Sequence, residues 1–229
     1  MLQRNKNSFT RRLVIPALLV LSPIAIIILL AILFIPGCSM RMAPKTSLPV
    51  YNTPDFTPVW DSKENPHYIA DFSFTDQNGK LFGSKELEGK IYVADFFFTT
   101  CPGICPRLTS NLSKVQDAFK NDPKVEIISF SVTPDFDKPA VLNSYAQSHN
   151  INYDKWHLLT GDKKAIYTLA RQSFFADEDL GEQQNENDFL HTENVLLIDS
   201  QKRIRGIYKG TIPLEIEKLI KEIGILEKE

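Results

Sequence analysis

Beyond residue 67 the chain alternates short apolar runs with polar, turn-forming stretches, and the period of each run predicts its element. Tyr68–Phe74 alternates with period two and meets Asn78-Gly79, a strong hairpin signal, before Lys80–Phe82. Lys90–Phe98 reads as a buried central strand, and Val125–Val132 as a second one. Between them Leu108, Leu112, Val115 and Phe119 recur at spacings of four, three and four, the signature of one helix face. A second helix is expected over 139–148, a short strand at Trp156–Leu159, and a helix over 163–172 capped by Asp162. Asn194–Asp199 and Arg203–Tyr208 pair as a hairpin, followed by a helix from about 213 to 226. A β-α-β-α-β-α run closed by a hairpin and a helix implies an α/β fold, with a mixed sheet and helices on both faces.

The N-terminal part has a different pattern. From Leu13 to Gly37 there are 25 residues without a charge, which as a helix would span about 37 Å, more than the roughly 30 Å of bilayer hydrocarbon. Arg4, Lys6, Arg11 and Arg12 precede this run and only Arg41 and Lys45 come closely after it, which predicts a cytoplasmic N-terminus and a domain on the outer side of the membrane. The run ends in Ile35-Pro36-Gly37-Cys38, similar to a bacterial lipoprotein processing site. Residues 1–37 are therefore expected to be an uncleaved anchor or a lipoprotein signal with Cys38 lipidated, and either tethers the domain to a membrane. Residues 38–66, with Pro44, Pro49, Pro54, Pro58 and Pro66 among polar residues and no period, read as an extended linker. Residues 67–229 form the domain. The absence of a transit segment before Leu13 points to a bacterial cell membrane, with the domain in the periplasm or exterior.

Charge narrows the partners. The formal net charge is −2, but setting the four N-terminal cations aside leaves 22 basic against 28 acidic residues, so no nucleic-acid partner is expected. The acidic stretch over 177–188 reads as a solvated face.

The domain holds two cysteines, Cys101 and Cys105, in Phe96-Phe-Phe-Thr-Thr-Cys-Pro-Gly-Ile-Cys-Pro106. A structural disulfide there would close a very short loop and stabilise weakly, and a domain of this size has its own core. Pro106 suits the first turn of the helix it opens, placing Cys105 near the cap and Cys101 in the preceding loop. Helix N-termini favour thiolates, which are both nucleophiles and soft-metal ligands. A thioredoxin-type couple has two residues between its cysteines where this pair has three, and a peroxide-reducing thiol would have a threonine where Phe98 stands. Of the four histidines, His67, His149 and His157 read as surface or packed residues. His191 comes after the long polar stretch Glu182–Asp188 and immediately precedes a strand, which makes it a candidate ligand.

Thr100-Cys101-Pro-Gly-Ile-Cys105-Pro106, Ser131-Val-Thr-Pro-Asp-Phe-Asp-Lys-Pro139 and Phe189-Leu-His191-Thr192, each beside a predicted strand and in this order, resemble the Sco/SenC family from residue 68 onward. The resemblance implies a thioredoxin-like fold, one copper ion held by Cys101, Cys105 and His191, and a role in building the binuclear copper centre of cytochrome c oxidase. The implied partners are that copper-centre subunit and other copper or thiol-redox proteins. Members often carry aspartate where this chain has Thr133 and Leu190; Asp135, Asp137 or Asp188 are the candidates to substitute. Two thiolates and an imidazole suit copper, and a set of three without a closed cage suits a carrier. Oxidising Cys101 and Cys105 to a disulfide would remove both thiolates. The alternative is a thiol-disulfide oxidoreductase that keeps the oxidase cysteines reduced, with a copper-dependent redox sensor as a third reading.

Overall fold

The computed structural model describes residues 47–60, 66–176 and 192–229. The chain divides into two compact units, Met1–Pro44 and Lys45–Glu229; the expected anchor, the acidic stretch and His191 lie outside the described residues. No described helix is long and apolar enough to cross a membrane.

In chain order the second unit contains β1 (Val50–Tyr51), β2 (Pro58–Val59), β3 (Ser73–Asp76), β4 (Leu81–Gly83), β5 (Ile91–Phe97), α1 (Ile104–Ala118), β6 (Val125–Ser131), α2 (Pro139–Ser148), β7 (Trp156–Thr160), α3 (Lys163–Gln172), β8 (Asn194–Ile198), β9 (Ile204–Lys209) and α4 (Pro213–Leu226). The described strands form one mixed sheet in the order β2-β1-β9-β8-β5-β6-β7-β3-β4. β5, β6 and β7 run parallel, and β8 pairs antiparallel with β5.

Helices cover both faces because the apolar strands present side chains alternately to each. Val93, Phe97, Ile127, Leu158 and Leu197 pack with Leu108, Leu112 and Val115 of α1, Leu142 of α2, and Ile216 and Leu219 of α4. Tyr92, Ala94, Phe96, Ile128, Phe130 and Leu196 pack on the other face with Ile166, Tyr167 and Ala170 of α3. Every residue of β5 and β6 is buried, as expected for parallel strands sandwiched between helices. Each fully buried leucine such as Leu108 or Leu112 contributes about 1.5–3 kcal/mol.

The helices over 139–148 and 163–172 lie where their sequence patterns place them, and Asp162 caps α3 by accepting the Ala165 N–H at 2.8 Å. The Asn78-Gly79 hairpin forms as well. Gly79 has φ +75°, a left-handed turn conformation that favours glycine, and the Asp76 carboxylate accepts the N–H groups of Asn78 and Lys80, each at 2.8 Å.

Two differences from the sequence reading concern the N-terminal side. The strand expected from Tyr68 begins only at Ser73, because the Ile69 N–H donates to Lys202 O and the Ala70 N–H to Ser173 Oγ instead of joining a ladder. The stretch read as linker supplies β1 and β2. Leu48 and Val50 are buried, Tyr51 pairs with Ile204, and the buried Arg205 donates to Leu48 O at 2.7 Å and Pro49 O at 3.0 Å. Strands of two residues are too short to show a period, so prolines and polar residues concealed them.

Candidate functional site

β5 ends at Phe97, at the edge where the parallel strands present their carboxyl ends, the usual place for a site in an α/β sheet. The chain then turns through Phe98–Gly103 into α1. Gly103 is the N-cap and Cys105 the second helical residue, so Cys105 lies inside the first turn rather than at the cap, with Pro106 next, where no intrahelical N–H is required. Leu108, Leu112 and Val115 fix α1 in the core, which makes Cys105 the rigid member of the pair. Cys101 sits on the loop, its N–H donating to Phe98 O at 3.3 Å.

Among the described residues both thiols are free and buried. Burial pushes the Cys101 thiol up, but hydrogen bonds from the backbone and thiol of Cys105 and from the backbones of Gly103 and Ile104 outweigh it and bring its pKa below the ordinary value. This is the anion-binding property of a helix N-terminus acting on sulfur. Cys105 is pushed up to about 12, chiefly by burial, with the hydrogen bond to Cys101 and the charges of Cys101 and Asp95 adding to it while the Phe98 backbone opposes. Cys101 is thus the more acidic of the two thiols, and Cys105 the one that holds its proton more tightly.

Beneath the pair lies a polar group that the apolar pattern of β5 obscured. Asp95 is 1% exposed; Ser129 Oγ donates to its Oδ1, Trp156 Nε1 donates to Ser129 Oγ at 2.8 Å, and among the described residues Asp95 Oδ2 has no hydrogen-bond partner. Burial raises its carboxyl to about 7, with the Ser129 hydrogen bond opposing. Thr109 of α1 and Tyr145 of α2 share a hydrogen bond of 2.8 Å in the same core. The one available signal in the sequence was an acid inside an otherwise apolar strand.

Of the aspartates considered as substitutes near Thr133, Asp135 is exposed whereas Asp137 is fully buried and bonded to Thr99; Asp188 lies outside the described residues. Among the described residues no three His, Cys, Asp or Glu side chains converge as a metal cluster, and the third expected ligand, His191, is not among them. The described chain resumes at Thr192, whose hydroxyl accepts the Asn194 N–H at 3.0 Å as β8 begins. That approach is fastened to the cysteine helix: Glu193 O accepts the Gly210 N–H at 2.8 Å and Asn111 of α1 donates to Gly210 O at 2.9 Å. A Cβ at Gly210 would lie 2.6 Å from Val195 Cγ2 and 2.9 Å from Leu108 Cδ1, so a larger residue would have to push these core side chains aside for the turn to close against α1. His157, by contrast, stacks on Phe82 with ring centroids 3.7 Å apart, a packed histidine.

Comparison with solved structures gives the same fold. A SCO1/SenC family lipoprotein from Bacillus anthracis superposes with a TM-score of 0.61 at 32% identity, covering 72% of this chain and 98% of the other. BsSco, a member of the Sco family of cytochrome c oxidase assembly proteins in which a disulfide switch was identified, gives 0.60 at 29% identity, covering 71% and 95%. Bradyrhizobium japonicum ScoI with copper bound gives 0.52 at 28% identity, covering 68% and 99%. The SCO1/SenC family model matches residues 61–224, and with a mixed α/β fold shared with these proteins, the chain belongs to the SCO1/SenC family.

Proposed function

We propose that this protein is a membrane-tethered copper carrier that holds one copper ion through Cys101, Cys105 and His191 and delivers it to the copper-centre subunit of cytochrome c oxidase. The observation that carries this reading is the pair of free, buried cysteines where β5 gives way to α1, with the pKa of Cys101 lowered by the amides of that turn. Two thiols four positions apart at the start of one helix offer a chelate for a soft ion, and a family relative with copper bound has the same fold. The anchoring of β8's approach to α1 supports His191 as third donor, since the residue after it is held at the cysteine end of the sheet. Binding through both sulfurs displaces the Cys105 proton, so loading releases acid. The tether is read from residues 1–38, and the lipoprotein among the relatives agrees with it.

A second reading has its own support. The opposed shifts of Cys101 and Cys105 are those of a thiol redox couple, and BsSco carries a disulfide switch. In that chemistry the Cys101 thiolate attacks a partner disulfide and releases one partner thiolate. Cys105 then loses its proton and displaces the other, leaving the partner reduced and Cys101–Cys105 oxidised.

The test is a copper titration of the reduced chain and of its His191→Ala and Cys105→Ser variants, monitored in the thiolate-to-copper charge-transfer region. The carrier reading predicts one copper per chain and weakened binding in both variants. Wild-type chain that binds no copper, or His191→Ala binding as tightly as wild type, contradicts it. Catalytic reduction of an oxidase-derived disulfide by metal-free chain would favour the second reading.

A further inference from the structure

The loop after β6 buries a carboxylate whose partners lead back to the cysteine loop. Asp137 is 0% exposed, and four donors converge on its two oxygens. They are the Thr99 N–H at 3.2 Å, the Thr99 hydroxyl, the Ser131 hydroxyl at 2.6 Å and the Thr133 hydroxyl at 3.0 Å. Ser131 Oγ also accepts the Thr133 N–H at 3.1 Å, and the Asp137 N–H returns to Thr133 O at 2.9 Å. A buried charge is tolerated when its acceptor capacity is filled in this way.

An aspartate that only shaped its own turn would need Ser131 and Thr133. The two bonds to Thr99 reach across to another segment, two residues before Cys101. The sulfur pair combines a member fixed by core packing, Cys105 on α1, with a member on a loop, Cys101. The separation of the two sulfurs therefore depends on where that loop leaves β5, and Asp137 grips it there by backbone and side chain together.

We infer that Asp137 is a positioning residue of the copper site, which acts through Thr99 to hold Cys101 at the separation from Cys105 that one ion requires. The inference rests on the copper-carrier reading above and assigns the task to the last aspartate of Thr133-Pro-Asp-Phe-Asp137. Thr133, standing where relatives often carry an acid, becomes one of its donors.

The experiment uses the full chain in detergent with Asp137→Asn, Thr99→Val and, as a control on the opposite face of the sheet, Asp162→Ala. Asparagine keeps the size but presents an NH2 where donors converge, so at least one donor meets another donor; valine removes only the loop's hydroxyl. In folded Asp137→Asn the charge-transfer maximum should shift and copper should pass to a competing chelator about 10- to 100-fold more readily, with a smaller change of the same sign in Thr99→Val and none in Asp162→Ala. A wild-type spectrum and retention in folded Asp137→Asn overturns the inference. If Asp137→Asn does not fold, Thr99→Val decides, and a wild-type result there overturns it. Should the wild-type chain bind no copper, the carrier reading fails separately. The positioning claim is then judged on metal-free chain: a changed ratio of Cys101 to Cys105 alkylation rates in Asp137→Asn supports it and an unchanged ratio overturns it.

Discussion

Replacing Asp95 by asparagine should make the protein more stable at neutral and alkaline pH and leave it nearly unchanged in acid. The carboxyl is 1% exposed, one oxygen has no partner among the described residues, and burial raises its pKa to about 7. An unfolded aspartate titrates near 3.9, so the shift is about 3 units, or roughly 4 kcal/mol at about 1.4 kcal/mol per unit. The sign is set by proton uptake. Between about pH 4 and 7 the folded state binds more protons than the unfolded state, so stability is full below the unfolded value and is lost as pH rises through the folded one. His157 works the other way: burial lowers it to about 4, so its contribution is present above about pH 6.5 and lost as pH falls toward 4. The wild-type profile mixes the two, but His157 is common to both proteins and cancels in their difference. Asparagine keeps an oxygen to accept from Ser129 and does not titrate. Guanidinium denaturation of the reduced unit Lys45–Glu229 at about pH 4.5, 6 and 8 should give a difference of about 1, then about 3, then about 4 kcal/mol in favour of Asp95→Asn. A difference that does not grow with pH would refute the reasoning. A charge that costs stability under Cys105 at working pH is the kind of local conflict found at functional sites.

The geometry carries three further expected outcomes. In the metal-free reduced chain Cys101 should be alkylated before Cys105, because hydrogen bonds from Cys105, Gly103 and Ile104 stabilise its thiolate; peptide mass spectrometry at limiting reagent reads the order. Asp162→Ala removes the cap bond to Ala165 and should cost about 1 kcal/mol, seen as a fall of about 2–4 °C in Tm. Arg205→Ala strips partners from Asp199 and Glu229 and leaves the carbonyls of Leu48 and Pro49 unpaired. It should cost about 3–5 kcal/mol, with faster hydrogen exchange at Val50 and Tyr51 than at β5.

Where apolar period was long, the sequence was explicit: Leu108, Leu112 and Val115 announced α1, and Asp162 the start of α3. β1 escaped because its place is set by distant groups, the guanidinium of Arg205 and the side chain of Glu229, which accepts the Leu48 N–H at 2.8 Å. Cys101 and Cys105 stood out in the sequence as a pair, but their unequal acidity did not, since it arises from the amides of one helical turn and the depth of the other sulfur. Asp137 stood out in the sequence only as one of three candidate acids. What singles it out is Thr99, 38 residues away along the chain and bonded to it across adjacent strand ends.

The most direct test of the central claim is X-ray absorption at the copper edge of the chain loaded with one equivalent of Cu(I) under reducing conditions. A carrier built on Cys101, Cys105 and His191 should show a first shell of two sulfurs and one imidazole nitrogen, the nitrogen disappearing in His191→Ala. A first shell without sulfur, or one unchanged in His191→Ala, would contradict it.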